Sequence, residues 1–244
     1  MARTRLDAAL VARGLVESLA KARAVVLAGL VFSGETRLDK AGAMIAEHQP
    51  LELRGREHPW VSRGGLKLAH ALDFFALDVQ GASAIDVGAS TGGFSDVLLT
   101  RGAARIYAVD VGHGQLAWKL RQDPRVVVLE KTNARHLTTT QIPDPVDLIV
   151  CDASFIGLEA VLPAPLALAR QGAHLIALIK PQFEVGAARV GQGGVVRDPV
   201  LHLEVCDRLA AWLPLQGWPV AGVTPSPILG PEGNREFLIL AYKK

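Results

Sequence analysis

Cysteine is scarce in this 244-residue chain: Cys151 and Cys206 are the two present, with neither a CxxC pair nor a histidine at metal-ligand spacing. A disulfide framework and a cysteine-based metal centre are excluded, and no metal is expected. Both thiols read as free and buried in apolar stretches. No apolar run approaches the ~20 residues of a membrane-spanning helix. The first residues, MARTRLDAALVARG, lack the apolar core of a secretory signal. A cytoplasmic location without a membrane partner is the expectation. Neither sign of charge dominates, the net being +2, while half of the residues are apolar. A disordered chain is excluded, because this composition buries enough surface to offset its ordering entropy. The charge is uneven along the chain, however. Residues 1–67 carry eleven lysines and arginines against seven acids, and the remainder fifteen against seventeen. A basic first quarter suits a polyanionic partner.

What is present is a glycine-rich turn. Residues 84–94 read AIDVGASTGGF: a short apolar strand, a bend from Gly88 to Gly93, and an amphipathic helix through Phe94, Val97 and Leu98. Glycine lets the backbone take positive φ and approach a ligand, and a helix start offers unpaired N–H groups. Three ligands compete for such a loop. A phosphate loop ends in Gly-Lys-Ser/Thr, yet Gly93 runs into Phe94. A dinucleotide loop places glycine first, third and sixth, and its third position here is Ser90. S-adenosylmethionine carries no phosphate and suits an acidic loop: Asp86 would face its amino group and the Ser90-Thr91-Gly92 backbone its methionine part. Asp110, closing IYAVD, would hold the ribose hydroxyls, and Asn133 in KTNAR would lie near the adenine.

Before this loop, Leu6, Leu10 and Val11 recur at helical spacing up to Gly14, and Ser18 caps a second helix that ends at Gly29. Two short strands follow about a Ser33-Gly34 turn, with another at Leu51–Leu53. Arg5-Leu6-Asp7, the Gly14-Leu15 turn, the alanine-glycine pair before a strand, the Ser33-Gly34 turn and Lys40 resemble the small RNA-binding domain named after ribosomal small-subunit protein four. The resemblance implies an α+β module over 1–58 that lays basic side chains on structured RNA. Arg3, Arg5, Lys21, Arg23 and Lys40 are its candidates, although Leu19 stands where that family carries arginine. Residues 54–59 have the polar, proline-containing composition of a linker.

Residues 59–244 alternate strand and helix, the pattern of a mostly parallel sheet covered on both faces. Strands are expected near 84–88, 106–111, 126–129, 147–152, 174–180, 218–224 and 236–242. Asp198-Pro199 marks a helix start. The last two strands leave no room for a crossover helix and should be antiparallel. Seven strands with such a hairpin is the Rossmann-like architecture of the common S-adenosylmethionine methyltransferases. This favours that cofactor over a dinucleotide.

Ligands of open parallel sheets bind beyond the carboxyl ends of the strands. Asp152 and Lys180 end two strands there, and Glu236 begins a strand running the opposite way, which puts it at the same rim. Lys67 lies on the helix before the first strand. Singly each is best read as solvated or ion-paired; together they suggest a site. The order Lys-Asp-Lys-Glu resembles the catalytic tetrad of the FtsJ-like ribose 2′-O-methyltransferases. With WVSRGGLKL, DVGASTGGF, KPQFEVG, GGVVRDP and SPILGPEGNREF, nearly the whole chain resembles the hemolysin-A-like (TlyA) ribosomal RNA cytidine 2′-O-methyltransferases. The resemblance implies a cytidine ribose in ribosomal RNA, free or in a subunit, as the substrate. The chain ends soon after its last strand, like the family's shorter type, which is associated with the large-subunit RNA. Lys180 would act as base or as the cation beside the forming alkoxide, and Lys67 would hold the target nucleotide. Arg63, and Arg189 in a glycine-rich loop expected to be mobile, would touch RNA. An RNA-binding assembly factor that has lost activity is the alternative.

Overall fold

The computed structural model describes residues 3–16, 18–54 and 58–244. It divides into two compact units, residues 1–59 and 60–244. Of the polar joint expected at 54–59, positions 55–57 lie outside the described residues.

The first unit runs β1 (Arg3–Arg5), α1 (Leu6–Ala12), α2 (Leu19–Leu27), β2 (Val31–Ser33), β3 (Thr36–Arg37), β4 (Met44–Ala46) and β5 (Glu52–Leu53). Ser18 accepts the Lys21 N–H in a side-chain cap of α2, and Gly29 turns the chain out of that helix at φ +70°. β3, β2 and β5 form one antiparallel sheet, and β1 pairs with β4. The second pair was not expected from the sequence, because Arg-Thr-Arg and Met-Ile-Ala are too short to show alternation. Leu6, Leu10, Ala22, Val26, Val31 and Ile45 make the small core.

The second unit follows as α3 (Gly64–Phe74), β6 (Ser83–Val87), α4 (Gly93–Thr100), β7 (Arg105–Val109), α5 (Trp118–Arg121), β8 (Val126–Leu129) and β9 (Val146–Cys151). It continues through α6 (Leu158–Val161), α7 (Pro163–Ala167), β10 (Ala169–Ile179), α8 (Pro181–Glu184), α9 (Pro199–Leu215), β11 (Val220–Pro225) and β12 (Phe237–Tyr242). One seven-stranded sheet has the order β11-β12-β10-β9-β6-β7-β8. Its central pairs are parallel, and β12 is antiparallel to both β10 and β11. Strand alternation divides the core in two. Ala84, Ile106, Leu148, Val150 and Ile176 face α3 and α4, while Ile85, Tyr107, Ile149, Leu175 and Ile239 face α6, α7 and α9. β10 starts five positions earlier than the expected 174, but its register shifts between Ala169 and His174, where Arg170 to Gly172 are exposed. Asp198 caps α9 by accepting the Val200 N–H, with Pro199 at the first helical position. Cys151 and Cys206 are buried and free, and burial pushes their thiols up to about 12 and about 11.

Candidate active site

The carboxyl ends of β6, β7 and β9 open onto a cavity of about 470 Å³ lined by Gly88, Ser90, Asp110, Val111, Gln115, Asn133 and Ile156, among others. Gly88 lies at φ +81°, and a Cβ there would stand 2.9 Å from the backbone N and Cα of Ala153. Only glycine lets the two strand ends approach this closely. Ser90 is also left-handed, at φ 47°, a strained position for a residue with a side chain. Asp110 secures it: Oδ2 accepts the Ser90 N–H at 2.8 Å and Oδ1 the Gly112 N–H at 2.7 Å. The carboxylate therefore shapes the loop while lining the cavity. Asn133 caps a short turn, its Oδ1 accepting from Arg135 N at 3.1 Å.

Three of the expected cofactor residues, Asp86, Thr91 and Gly92, are placed elsewhere. Asp86 is fully buried and does not line the cavity, because its position on β6 points to the face covered by α4. Its Oδ2 accepts from Ser95 N at 3.0 Å and Ser95 Oγ at 2.6 Å, which fixes the start of that helix. Burial pushes its carboxyl up to about 7. Its Oδ1 is buried without a hydrogen-bond partner. Gly92, at φ +95°, turns the chain into α4, and a Cβ there would run into Leu120. Thr91 lines the neighbouring cavity instead.

That second cavity, about 490 Å³, shares Gly88, Ser90, Asp152, Ser154 and Phe155 with the first. Lys67, Asp152, Lys180 and Glu236 all line it. They form two pairs. Lys67 Nζ donates to Glu236 Oε2 at 2.6 Å, both side chains being buried. Lys67 is thus not on a solvated face of α3 but beside its inward residues Leu68 and Ala71. Lys180 Nζ lies 2.7 Å from Asp152 Oδ1, and donates to Asp152 O at 3.0 Å and Ser154 Oγ at 2.8 Å. Two hydrogen bonds and one ion pair thus hold Lys180 Nζ, and Asp152 Oδ1 is left without a hydrogen bond of its own.

Ser154 and Phe155 were not anticipated. Phe155 is 88% exposed, yet it lies at φ 65° with its ring centroid 5.0 Å from that of Phe183. It lines both cavities. The only hint in the sequence is its place directly after a strand that ends in an acid.

The arginine and lysine candidates divide. Arg3, Lys21 and Lys40 are exposed. Arg5 and Arg23 both donate to the buried Asp7, at 2.9 Å and 3.3 Å, so part of their charge is spent within the first unit. Hydrogen bonding from Arg5 holds the Asp7 carboxyl down at about 2. Arg63 lines this second cavity and donates to Leu229 O at 2.7 Å. Arg189 instead forms a two-pronged pair with Glu204 on α9. The loop it begins, expected to move, is held at its far end by Asn234, which accepts from Val196 N and donates to Gly194 O, each at 2.9 Å. Among the described residues no cluster of three His, Cys, Asp or Glu side chains is arranged to hold a metal ion, and no helix is long and apolar enough to cross a membrane.

A seven-stranded sheet with one reversed strand, a glycine-rich first turn, an acid at the second strand end and paired lysines at the rim define a Rossmann-like methyltransferase. The FtsJ-like methyltransferase family model matches residues 60–243, and the chain belongs to that family. It is 48% identical, over 97% of its length and 89% of the relative's, to the 16S/23S rRNA (cytidine-2′-O)-methyltransferase TlyA of Mycobacterium tuberculosis H37Rv. Hemolysin A of Brachyspira hyodysenteriae is 37% identical over 96% of this chain and 98% of its own. A solved structure described as a hemolysin, from Streptococcus thermophilus, superposes with a TM-score of 0.78 at 42% identity, covering 100% of this chain and 90% of that one.

Proposed function

We infer that this protein transfers a methyl group from S-adenosylmethionine to the 2′-hydroxyl of a cytidine ribose in ribosomal RNA. The observation that carries the reading is the meeting of both lysine-acid pairs in a cavity that shares a wall with the glycine-loop cavity. A relative 48% identical over nearly the whole chain bears that activity in its name.

The residues fit the cofactor. Asp110 offers carboxylate oxygens where β7 ends, as ribose hydroxyls require, and Val111 and Ile156 supply apolar walls for an adenine ring, with Asn133 beside them. When bound, S-adenosylmethionine supplies an electrophilic methyl on a sulfonium. The protein's part is to align the ribose hydroxyl with it and to take charge of the proton that leaves. The ion pair of Lys180 Nζ with Asp152 supports the second of its two roles, a cation that stabilises the oxygen as its proton departs. Asp152 fixes its direction. Lys67, neutralised by Glu236, forms the wall against which the nucleotide rests, and the outward ring of Phe155 offers a stacking face for a base.

Arg3, Lys21, Lys40 and Arg63, with Arg5 and Arg23 through their unspent N–H groups, bind RNA phosphates. Arg189 joins them only by leaving Glu204. The target lies in the large-subunit RNA, a reading supported by relatives whose names specify 23S rRNA, and an enzyme with that substrate works in the cytoplasm. The test is labelled methyl transfer to unmodified ribosomal RNA and to each subunit, beside Lys180→Ala. Label on a large-subunit ribose from the wild type alone supports the reading. No label on any RNA, with cofactor and RNA both bound, overturns it in favour of an assembly factor.

A further inference from the structure

Glu184 is a buried carboxylate outside the tetrad, its side chain 4% exposed. It ends α8, the single turn that begins immediately after Lys180. Its Oε1 accepts the Leu158 N–H at 2.8 Å, at the start of α6, where Gly157 offers no side chain to cap the helix. Its Oε2 pairs with Arg208 Nη2 at 2.7 Å, and Arg208 also reaches Glu159 Oε1 at 2.6 Å.

Phe183 and Glu184 lie three and four positions after Lys180, on the single turn that follows its extended backbone. Each touches a different point of the segment between β9 and α6. Lys180 holds Asp152 and Ser154, the Phe183 ring meets Phe155, and Glu184 holds Leu158. That segment forms the wall common to both cavities and contains the left-handed Phe155. Lys180 and Phe183 reach its first half, where Asp152 N also donates to Val87 O of β6 at 2.9 Å. Glu184 fixes its far end. A segment tied at its first end alone is free to let Ser154 and Phe155 drift from Lys180 and Phe183, and alignment within about 0.5 Å is what a preorganised site needs.

We propose that Glu184 is a positioning residue for methyl transfer, acting through its bond to Leu158 N to hold the 152–158 segment against Lys180. This rests on the methyltransferase reading above. Glu184 touches neither substrate nor cofactor. Its effect is on the alignment of groups that do, so its loss lowers kcat and leaves cofactor affinity nearly intact.

The test uses the full chain as wild type, Glu184→Ala, Glu184→Gln and Glu159→Ala, with measurement of Tm, S-adenosylmethionine affinity, kcat on ribosomal subunits, and amide exchange at residues 153–158. Glu184→Ala is expected to lower kcat at least about tenfold and to speed exchange across 153–158. Glu184→Gln, whose amide oxygen still accepts from Leu158 N, should restore kcat to within about threefold of wild type. Glu159→Ala removes the other partner of Arg208 without touching Leu158 and should leave kcat unchanged. Wild-type kcat in Glu184→Ala overturns the proposal, as does an equal loss in all three variants that follows Tm. Should the alanine chain fail to fold, Glu184→Asp, one methylene short of Leu158, is judged by the same criteria. If the wild type itself methylates no RNA, the methyltransferase reading falls. Exchange then decides the tie: faster exchange in Glu184→Ala upholds it, and equal exchange removes it.

Discussion

Lys67 and Glu236, 169 positions apart in the chain, meet at 2.6 Å in a place almost closed to water. Removing one partner strands the other as an unpaired buried charge, at a cost of about 3–5 kcal/mol. Lys67→Met should therefore lower the denaturant midpoint sharply. The double variant Lys67→Met/Glu236→Leu should recover most of that stability and transfer no methyl. A double variant as unstable as the single one would show that the pair is not the source of the loss.

Asp86 makes stability depend on pH in an unusual sense. Its folded pKa of about 7 lies above the ordinary 3.8, chiefly through burial. The fold therefore benefits fully from the protonated carboxyl below 3.8, and that benefit drains away as pH rises through 7. Asp86→Asn carries no charge and keeps an oxygen for Ser95. Its stability relative to wild type should rise between pH 4 and 7 and then level off. Parallel pH profiles for the two proteins would contradict the burial argument.

Asp7 works in the opposite direction. Its folded pKa, near 2, lies below the ordinary value because Arg5, first, and Arg23 donate to it. It contributes stability above pH 3.8 that is lost as pH falls through 2. Asp7→Asn should weaken the first unit at pH 7, with the difference from wild type vanishing toward pH 2. All four tryptophans lie at position 60 or beyond, so amide exchange in α1 and α2, not tryptophan fluorescence, is the measurement.

Gly88→Ala places a methyl against the Ala153 backbone at a positive φ. Strain of about 1–3 kcal/mol and a displaced cavity wall follow. Calorimetry should show S-adenosylmethionine affinity reduced by at least about tenfold, a loss of 1.4 kcal/mol. Unchanged affinity would remove Gly88 from the cofactor site.

The strands of the second unit were legible because buried parallel strands read as short apolar runs punctuated by glycine and charge. Asp152, Lys180 and Glu236 could be gathered at one rim from strand direction, and Lys67, on a helix, joined them through the Lys-Asp-Lys-Glu order that resembles the FtsJ-like tetrad. Which lysine takes which acid could not be read, since that depends on side chains meeting across the sheet. The fate of Asp86 was hidden for a related reason: alternation assigns it to a face, but only the α4 contact shows that the face is sealed. The Arg189–Glu204 and Arg5–Asp7 pairs show the same limit, for a basic residue in a sequence does not reveal how much of its charge is already taken. Phe155 stayed invisible because a positive φ at phenylalanine runs against local preference.

β12 lies between β10 and β11 and brings Glu236 to the rim from the direction opposite to its neighbours. Closing so long a loop costs entropy before any pairing repays it. The active constellation is therefore a report on complete folding. A chain whose last strand has yet to dock holds Lys67 without its counter-ion and has no finished cavity.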